Sequence, residues 1–212
     1  MANKTKIEWC DYTVNPIKGK CKHGCPYCYA TRMYDRYKWN PEVRLDMTVF
    51  DGLERLPPSK IFVCSTHDIF GSWIPDQWIH DIFQQCAAFP QHTFIFLTKN
   101  PAREPCCLPG PNTWFGTSIT RKDEMSRWVD LKDNCKCVVN FISFEPLLED
   151  IGTAPANADW IIVGAETGNR KEKVVPGGDW AFKLFDSARQ WKIPIFIKDN
   201  LGWSEPHREW PR

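Results

Sequence analysis

The chain has 212 residues, 42% of them hydrophobic, enough for one buried core and cramped for two. A formal net charge of +1 excludes the strongly basic composition of a general polyanion binder, and no uninterrupted apolar stretch is long enough to cross a bilayer. The first 23 residues hold no apolar run of the kind an export signal needs, so the ten cysteines are expected in a reducing cytoplasm, where clustered thiols read as metal or redox ligands before disulfides.

Charge is uneven along the chain. Residues 1–44 hold nine Lys or Arg against four acids, a balance of +5 that leaves −4 for the remainder. Opposite surface potentials raise encounter rates, so this stretch suits an anionic substrate or an acidic electron donor such as a flavodoxin or ferredoxin. A merely solvated face accounts for the same count. Within it lies Cys21-Lys22-His23-Gly24-Cys25-Pro26-Tyr27-Cys28, three thiols in eight residues that lead into a helix-like segment. Four cysteines normally complete a 4Fe-4S cluster, so a compact set of three suits a cluster with one iron left open to a cofactor or substrate. Structural zinc is the alternative, with His23 or Cys10 as fourth ligand of a closed tetrahedron. His23 lies between two of the cysteines, where turning back onto the same metal strains a short loop. Zinc ribbons also use separated C-x-x-C pairs, and no second pair occurs here.

Beyond the loop, short apolar runs recur at Ile61–Cys64, Thr93–Leu97, Thr113–Gly116, Val138–Phe141, Trp160–Val163 and Ile193–Ile197. Each is too short for a helix and almost continuously apolar, as parallel strands covered on both faces are. Between them, Pro75 to Phe89 places Trp78, Ile79, Ile82 and Phe83 on one helical face, and Gly178 to Trp191 places Phe182, Phe185 and Ala188 at helical spacing. Two crossovers look eroded: Asn100–Asn112, with four prolines, and Glu145–Asp159, with two. The alternation predicts an α/β fold, a partial (β/α)6-type or compact β/α barrel of parallel strands, with the cysteine loop after the first strand and function at the strands' C-terminal ends. One domain over residues 1–212 is expected, with 200–212 as an irregular tail.

Polar residues follow strand after strand. Ser65, Thr66, His67 and Asp68 come after the second; Thr98 and Lys99 after the third; Thr117, Ser118 and Thr120 after the fourth. Ser143 and Glu145, then Gly164 to Thr167, then Lys198, Asp199 and Asn200 follow the rest. Six strand ends in a row carrying acids, amines and hydroxyls describe a ligand pocket, because closing a core does not require them.

The C-x-x-x-C-x-x-C spacing, with an aromatic residue before the last cysteine, resembles the signature of the radical S-adenosylmethionine superfamily. The order of Ile7-Glu8-Trp9-Cys10, Asn15-Pro16, the cysteine loop, Phe96-Leu97-Thr98-Lys99, Phe115-Gly116-Thr117-Ser118, Phe144-Glu145-Pro146-Leu147-Leu148 and Ile162 to Gly168 is similar to a phage-associated family of unknown function within that superfamily. The likeness runs from about Lys6 to Asp199 and departs at a short third crossover and at His67, where a small polar residue is expected. It implies Cys21, Cys25 and Cys28 as ligands of a 4Fe-4S cluster whose open iron holds S-adenosylmethionine, cleaved reductively to abstract hydrogen from a substrate. Physical need and this analogy together assign Tyr27 to the adenine, since its ring offers a flat face. Ser65, Thr66 and Asp68 suit the cofactor's amino group, and Thr117 and Ser118 the ribose hydroxyls. Glu145, Glu166 and Lys198 are left for substrate contact or proton management. The phage association points to a nucleotide or nucleic acid substrate, by association alone; a small metabolite or peptide fits nearly as well.

Cys64, in a strand, and Cys86, on a helix face, read as buried free thiols. Cys106, Cys107, Cys135 and Cys137 fall in turn-like sequence and form an auxiliary metal or cluster site only if their loops meet in space. The competing function is a non-catalytic, zinc-stabilised nucleic-acid-binding module that uses the basic N-terminal third.

Overall fold

Strands buried on both faces need apolar residues at both parities, and that requirement organises the protein. The computed structural model describes residues 2–103 and 110–212. Its strands are β1 (Asn3–Lys4), β2 (Tyr12–Val14), β3 (Ile17–Lys18), β4 (Arg44–Leu45), β5 (Lys60–Val63), β6 (Thr93–Thr98), β7 (Thr113–Ser118), β8 (Val139–Phe144), β9 (Trp160–Val163) and β10 (Ile195–Ile197). Its α-helices are α1 (Tyr29–Tyr37), α2 (Asp76–Ala87), α3 (Ser126–Asn134) and α4 (Gly178–Trp191). Eight strands form one sheet in the order β1-β2-β5-β6-β7-β8-β9-β10, while β3 and β4 pair separately. Only β1 runs antiparallel in the large sheet; β2 and β5 to β10 are parallel throughout. The expected partial β/α barrel is the observed architecture. The cysteine loop follows β2 and the short β3, as anticipated for a loop after the first parallel strand.

Side chains alternate between two cores with the period of two that a strand imposes. Ile61 and Val63, Phe94 and Phe96, Ile142 and Phe144, Ile161 and Val163, and Ile195 and Ile197 pack outward with the helices. Phe62, Ile95, Phe141, Trp160, Ile162 and Phe196 point the other way and meet Trp9 in the barrel interior. Phe141, Trp160 and Phe196 are fully buried, and removing any of these side chains to Ala costs about 3–5 kcal/mol. Gly116 lies opposite Phe141 in register, and a Cβ there would sit 2.4 Å from the ring. Only glycine lets β7 pass the ring at that level.

The helices follow their apolar periodicity. In α2, Ile79, Ile82, Phe83 and Cys86 are buried at i, i+3, i+4 and i+7, with Asp76 in the first turn, where the helix dipole favours an acid. The buried face of α4 is Ala181, Leu184 and Ala188 instead of the expected Phe182 and Phe185. Phe182 is exposed, and Phe185 meets the C-terminal tail, its ring tilted against His207 at 4.6 Å and Trp203 at 5.7 Å. Ala181, Leu184 and Ala188 join the outer core, and Phe185 packs against its edge. The Glu145–Asp159 crossover forms no helix, as its composition implied, and half of the Asn100–Asn112 crossover lies outside the described residues. The tail is less irregular than expected: Ile197 and Glu209 amides bond across to His207 and Ile195 carbonyls, extending the sheet beside β10. Trp210 then caps Phe196 at 5.1 Å. Among the described residues no helix is long and apolar enough to cross a membrane.

Candidate active site

Above the ring-filled interior, the same inward parity carries polar side chains. Continuing it beyond the rings gives Asn15, Lys99, Ser118, Ser143, Glu145, Glu166 and Lys198, all of which line one cavity of about 620 Å³ at the C-terminal ends of the parallel strands. Trp9, Phe62, Leu97, Pro146 and Ala165 give it apolar walls. Ladder bonds hold the rim: Lys198 donates its amide to the Val163 carbonyl at 2.9 Å, Gly164 to Phe144 at 3.1 Å and Ile119 to Ser143 at 3.0 Å. Ser118 and Ser143 are register neighbours, so two hydroxyls stand side by side on the wall.

The cysteine loop closes one side. Its first thiol follows a turn pinned by the Gly19 amide on the Tyr34 hydroxyl at 2.9 Å and the Lys20 amide on the Pro41 carbonyl at 3.0 Å. Its last, Cys28, is the N-cap of α1 and donates its amide to the Cys25 carbonyl at 3.0 Å. Cys21, Cys25 and Cys28 are half-buried and all three line the cavity, whereas Cys10 and Cys86 are buried outside it. Burial raises the Cys21 thiol pKa, and amides of His23 and Asp68 partly offset it. Both alternative zinc ligands are engaged elsewhere. His23 Nε2 lies 2.7 Å from Asp68 Oδ2, with its ring edge-on to Trp73 at 5.1 Å. Cys10 is buried beside the Ile7 carbonyl, and burial pushes its thiol to about 12. No three His, Cys, Asp or Glu side chains among the described residues gather closely enough for a single ion.

The other candidates differ in how free they are. Ser65 and Thr66 both donate their hydroxyls to Asn15 Oδ1, at 3.1 and 3.3 Å, which orients their own oxygen lone pairs as acceptors. Asp68, assigned to a cofactor amino group on the same footing, is fully occupied: its oxygens accept from Thr98 Oγ1 at 2.8 Å, the Lys99 amide at 2.8 Å and the Phe70 amide at 3.0 Å, besides His23. Burial works against its charge, but the bonds from His23, Lys99 and Thr98 prevail and hold its pKa below the ordinary 3.8. Tyr27 is partly buried on the cavity wall, where burial foremost and the Cys25 thiol raise its phenol pKa, and Lys99 Nζ lies 5.9 Å from its ring centre. Thr117 does not reach the cavity. It has outward parity, is fully buried, and donates its hydroxyl to the Thr98 carbonyl at 3.1 Å.

Two ion pairs stand at the rim. Lys198 Nζ donates to Glu145 Oε1, both side chains being largely buried. Gly164 makes room for that pair, since a Cβ there would meet Lys198 Cδ at 2.9 Å and Glu145 Cδ at 3.2 Å. Glu166 is held by a bidentate fork from Arg170, both contacts at 2.8 Å, and that guanidinium lowers its carboxyl pKa. Ser143 Oγ and Trp9 Nε1 are buried without a hydrogen-bond partner among the described residues, and both residues face the cavity.

Sequence reasoning missed Asn15, which organises Ser65 and Thr66. Parity counting from Thr13 finds it. Cys64 is a buried free thiol packed with the outer core, as expected, and at φ 61° it also borders the cavity. His67 replaces the expected small residue because it fastens the loop: Nδ1 donates to the Gly19 carbonyl at 3.2 Å and Nε2 accepts from Trp73 Nε1 at 2.9 Å. Of the suspected auxiliary thiols, Cys106 and Cys107 lie outside the described residues, while Cys135 Sγ and Cys137 Sγ are 3.0 Å apart.

Solved structures with this fold include spore photoproduct lyases. A point mutant of that lyase aligns with a TM-score of 0.59 at 12% identity, covering 93% of this chain and 78% of the other. The lyase complexed with dinucleoside spore photoproduct gives 0.56 at 14% identity with the same coverage. A double mutant with bound AdoMet and dinucleoside spore photoproduct gives 0.51 at 13%, covering 90% of this chain but only 54% of that one. The chain thus spans about half the length of that lyase chain, and at these identities the likeness is one of fold. No curated protein sequence matches. A family model matches residues 4–209, nearly the whole chain, and the chain belongs to that family, described as a protein of unknown function (DUF5131).

Proposed function

We propose that the protein is a radical S-adenosylmethionine enzyme acting in the cytoplasm on a nucleotide or nucleic acid. The observation that carries the reading is the presence of three half-buried thiols, Cys21, Cys25 and Cys28, on the wall of a polar-lined cavity at the ends of parallel strands. AdoMet and a dinucleoside bound to a protein of the same fold support the cofactor and the substrate class. The donor set fits: three thiols for a 4Fe-4S cluster, unpartnered Ser143 Oγ and Trp9 Nε1, and apolar walls for a nucleoside. When bound there, a cluster with one open iron supplies the electron that cleaves the sulfonium of S-adenosylmethionine.

The chain's own residues then bind and orient. Ser65 and Thr66, turned by Asn15, offer oxygens to an ammonium group, and Asp68 acts one step back by holding His23 and the start of the Lys99 segment. Tyr27 offers its ring to the adenine. Ser118, beside Ser143, suits the ribose; Thr117 supports that wall from behind through Thr98. Lys198 Nζ donates to Glu145 Oε1, and the pair stands at the rim where it can meet a polar group of the substrate. Glu166, fixed by Arg170, stays ionised and suits a substrate hydroxyl or amine. The electron donor is a flavodoxin or ferredoxin.

Anaerobically reconstituted protein should bind about four irons per chain and, with dithionite, convert S-adenosylmethionine to 5′-deoxyadenosine and methionine. Ala at Cys21, Cys25 or Cys28 should abolish iron and cleavage together, whereas Cys86→Ala should retain both. Colourless protein with one zinc per chain would instead support the nucleic-acid-binding module and sink the enzyme reading.

A further inference from the structure

We infer that α1 and the turn after it form a docking track for single-stranded nucleic acid leading out of the cavity, which rests on the substrate class proposed above. Tyr37 and Trp39 are 54% and 46% exposed, although rings of this size are ordinarily drawn into the core. They are stacked on each other, 5.5 Å between centroids and 23° between planes, and Tyr34 braces Trp39 edge-on at 5.4 Å. The brace is anchored, because the Tyr34 hydroxyl accepts the Gly19 amide beside the cysteine loop. Lys38, in the left-handed region at φ 53°, folds the chain back so that the Trp39 amide reaches the Tyr34 carbonyl at 3.3 Å. The rings are therefore a fixed platform that stays about half exposed.

Charge around the platform is one-sided. Residues 18–44 contain seven Lys or Arg and two acids. Asp35 pairs with Lys20 at 2.7 Å, but Lys22, Lys38 and Arg44 are exposed and pair with no carboxylate among the described residues. Arg36, also exposed, lies over the Tyr37 ring at 5.5 Å. Stacked rings interleaved with unpaired cations match a strand of bases and phosphates, since every base has a face to stack and every phosphate a charge. An acidic protein would use the cations and leave the ring faces unexplained. The helix also gives direction. Its N-cap Cys28 and Tyr29 line the cavity, Arg32 reaches the Thr167 carbonyl across the rim, and Tyr37 stands about 13 Å farther along at 1.5 Å per residue.

The test is fluorescence anisotropy of labelled single-stranded DNA and RNA 12-mers on the reconstituted full chain, at low and moderate salt, with duplex as control. Single strands should bind better than duplex and weaken with salt. Trp39→Ala and Tyr37→Ala should weaken them by about tenfold or more, and Trp39→Phe should recover most of the loss. Lys38→Ala should reduce the salt dependence without removing binding. An unchanged melting transition by circular dichroism shows that each variant is folded. Wild-type protein that binds no single strand, or a folded Trp39→Ala that binds as well as wild type, overturns the inference. So does a Trp39→Ala variant that keeps its oligonucleotide affinity but slows flavodoxin-driven and not dithionite-driven S-adenosylmethionine cleavage, because the platform then serves a protein. Oligonucleotide binding through Trp39 in a chain that never cleaves S-adenosylmethionine would leave the track standing and remove the enzyme reading.

Discussion

On two strands the inward-facing residue is a phenylalanine, Phe141 or Phe196, and two residues later the inward position is Ser143 or Lys198. The lower level is filled by rings and has no space to spare; the upper level keeps small and polar groups around a cavity. Two glycines express the same contrast. Gly116 yields its Cβ volume to the Phe141 ring, a packing demand, whereas Gly164 yields it to the Glu145–Lys198 pair, a chemical one. Position along a strand, more than residue type, therefore decides whether a side chain serves stability or function.

The largest effect should come from breaking the lower level. Gly116→Val puts two methyls into the Phe141 ring and should cost about 3 kcal/mol in urea denaturation, near the upper end for overpacking. Gly164→Ala needs only Lys198 and Glu145 to shift, so it should cost about 1 kcal/mol while impairing turnover more than stability. Equal losses of stability at the two glycines would erase the distinction.

Next comes the rim pair. Glu145→Gln leaves the largely buried Lys198 ammonium without its counter-charge, and a loss of about 1–2 kcal/mol is expected, since both groups retain some solvent contact. Adding Lys198→Met to it should restore stability and leave activity low. Recovery of activity in the double variant would remove the pair from the site.

A smaller effect tests the fastening of the cysteine loop. Burial holds the His67 pKa below its ordinary 6.5, so the unfolded chain takes up that proton first. The stability it contributes is complete above about pH 6.5 and is lost as pH falls through the folded value, with a slope of at most about 1.4 kcal/mol per pH unit. Asp68, whose pKa is lowered from 3.8, contributes in a separate window below that. Urea midpoints at pH 5, 6 and 7 should therefore rise with pH in the wild type and flatten in His67→Asn.

The same two levels decide what was legible in the sequence. Where strands are apolar throughout, the runs stand out: Trp160–Val163 matches β9 at both ends, and Ile61 to Val63 lies within β5. β6, β7 and β8 continue through Thr98, Ser118 and Phe144, past the ends at Leu97, Gly116 and Phe141 that hydrophobicity indicates. Each passes a polar residue, Thr98, Thr117, Ser118 or Ser143, before it ends. Hydrophobic patterning stops where the cavity starts, so the boundary error itself marks the site. β2, three residues of which one is threonine, and α3, whose core contact is little more than Trp128 and Leu131, carry too few apolar positions to be seen. The cysteine loop was legible because its spacing is local. The use of Asp68 by His23 and Thr98 was not, because those partners are 45 and 30 residues away.

Taking every polar residue after a strand as a candidate collects both parities, and the smallest predicted effect separates them. Thr117 and Ser118 are adjacent, both buried and both hydroxylated, yet only Ser118 faces the cavity. Thr117→Val keeps the shape and removes one buried hydrogen bond to the Thr98 carbonyl, at a cost of about 1 kcal/mol, with no change in S-adenosylmethionine affinity by calorimetry. Ser118→Ala removes a wall hydroxyl and should leave stability within about 0.5 kcal/mol while weakening S-adenosylmethionine severalfold. The reverse assignment, with affinity following Thr117 and stability following Ser118, would mean that β7 slips by one residue at its end. Every inward residue on that strand would then turn outward, including Gly116, whose missing Cβ is the reason Phe141 fits.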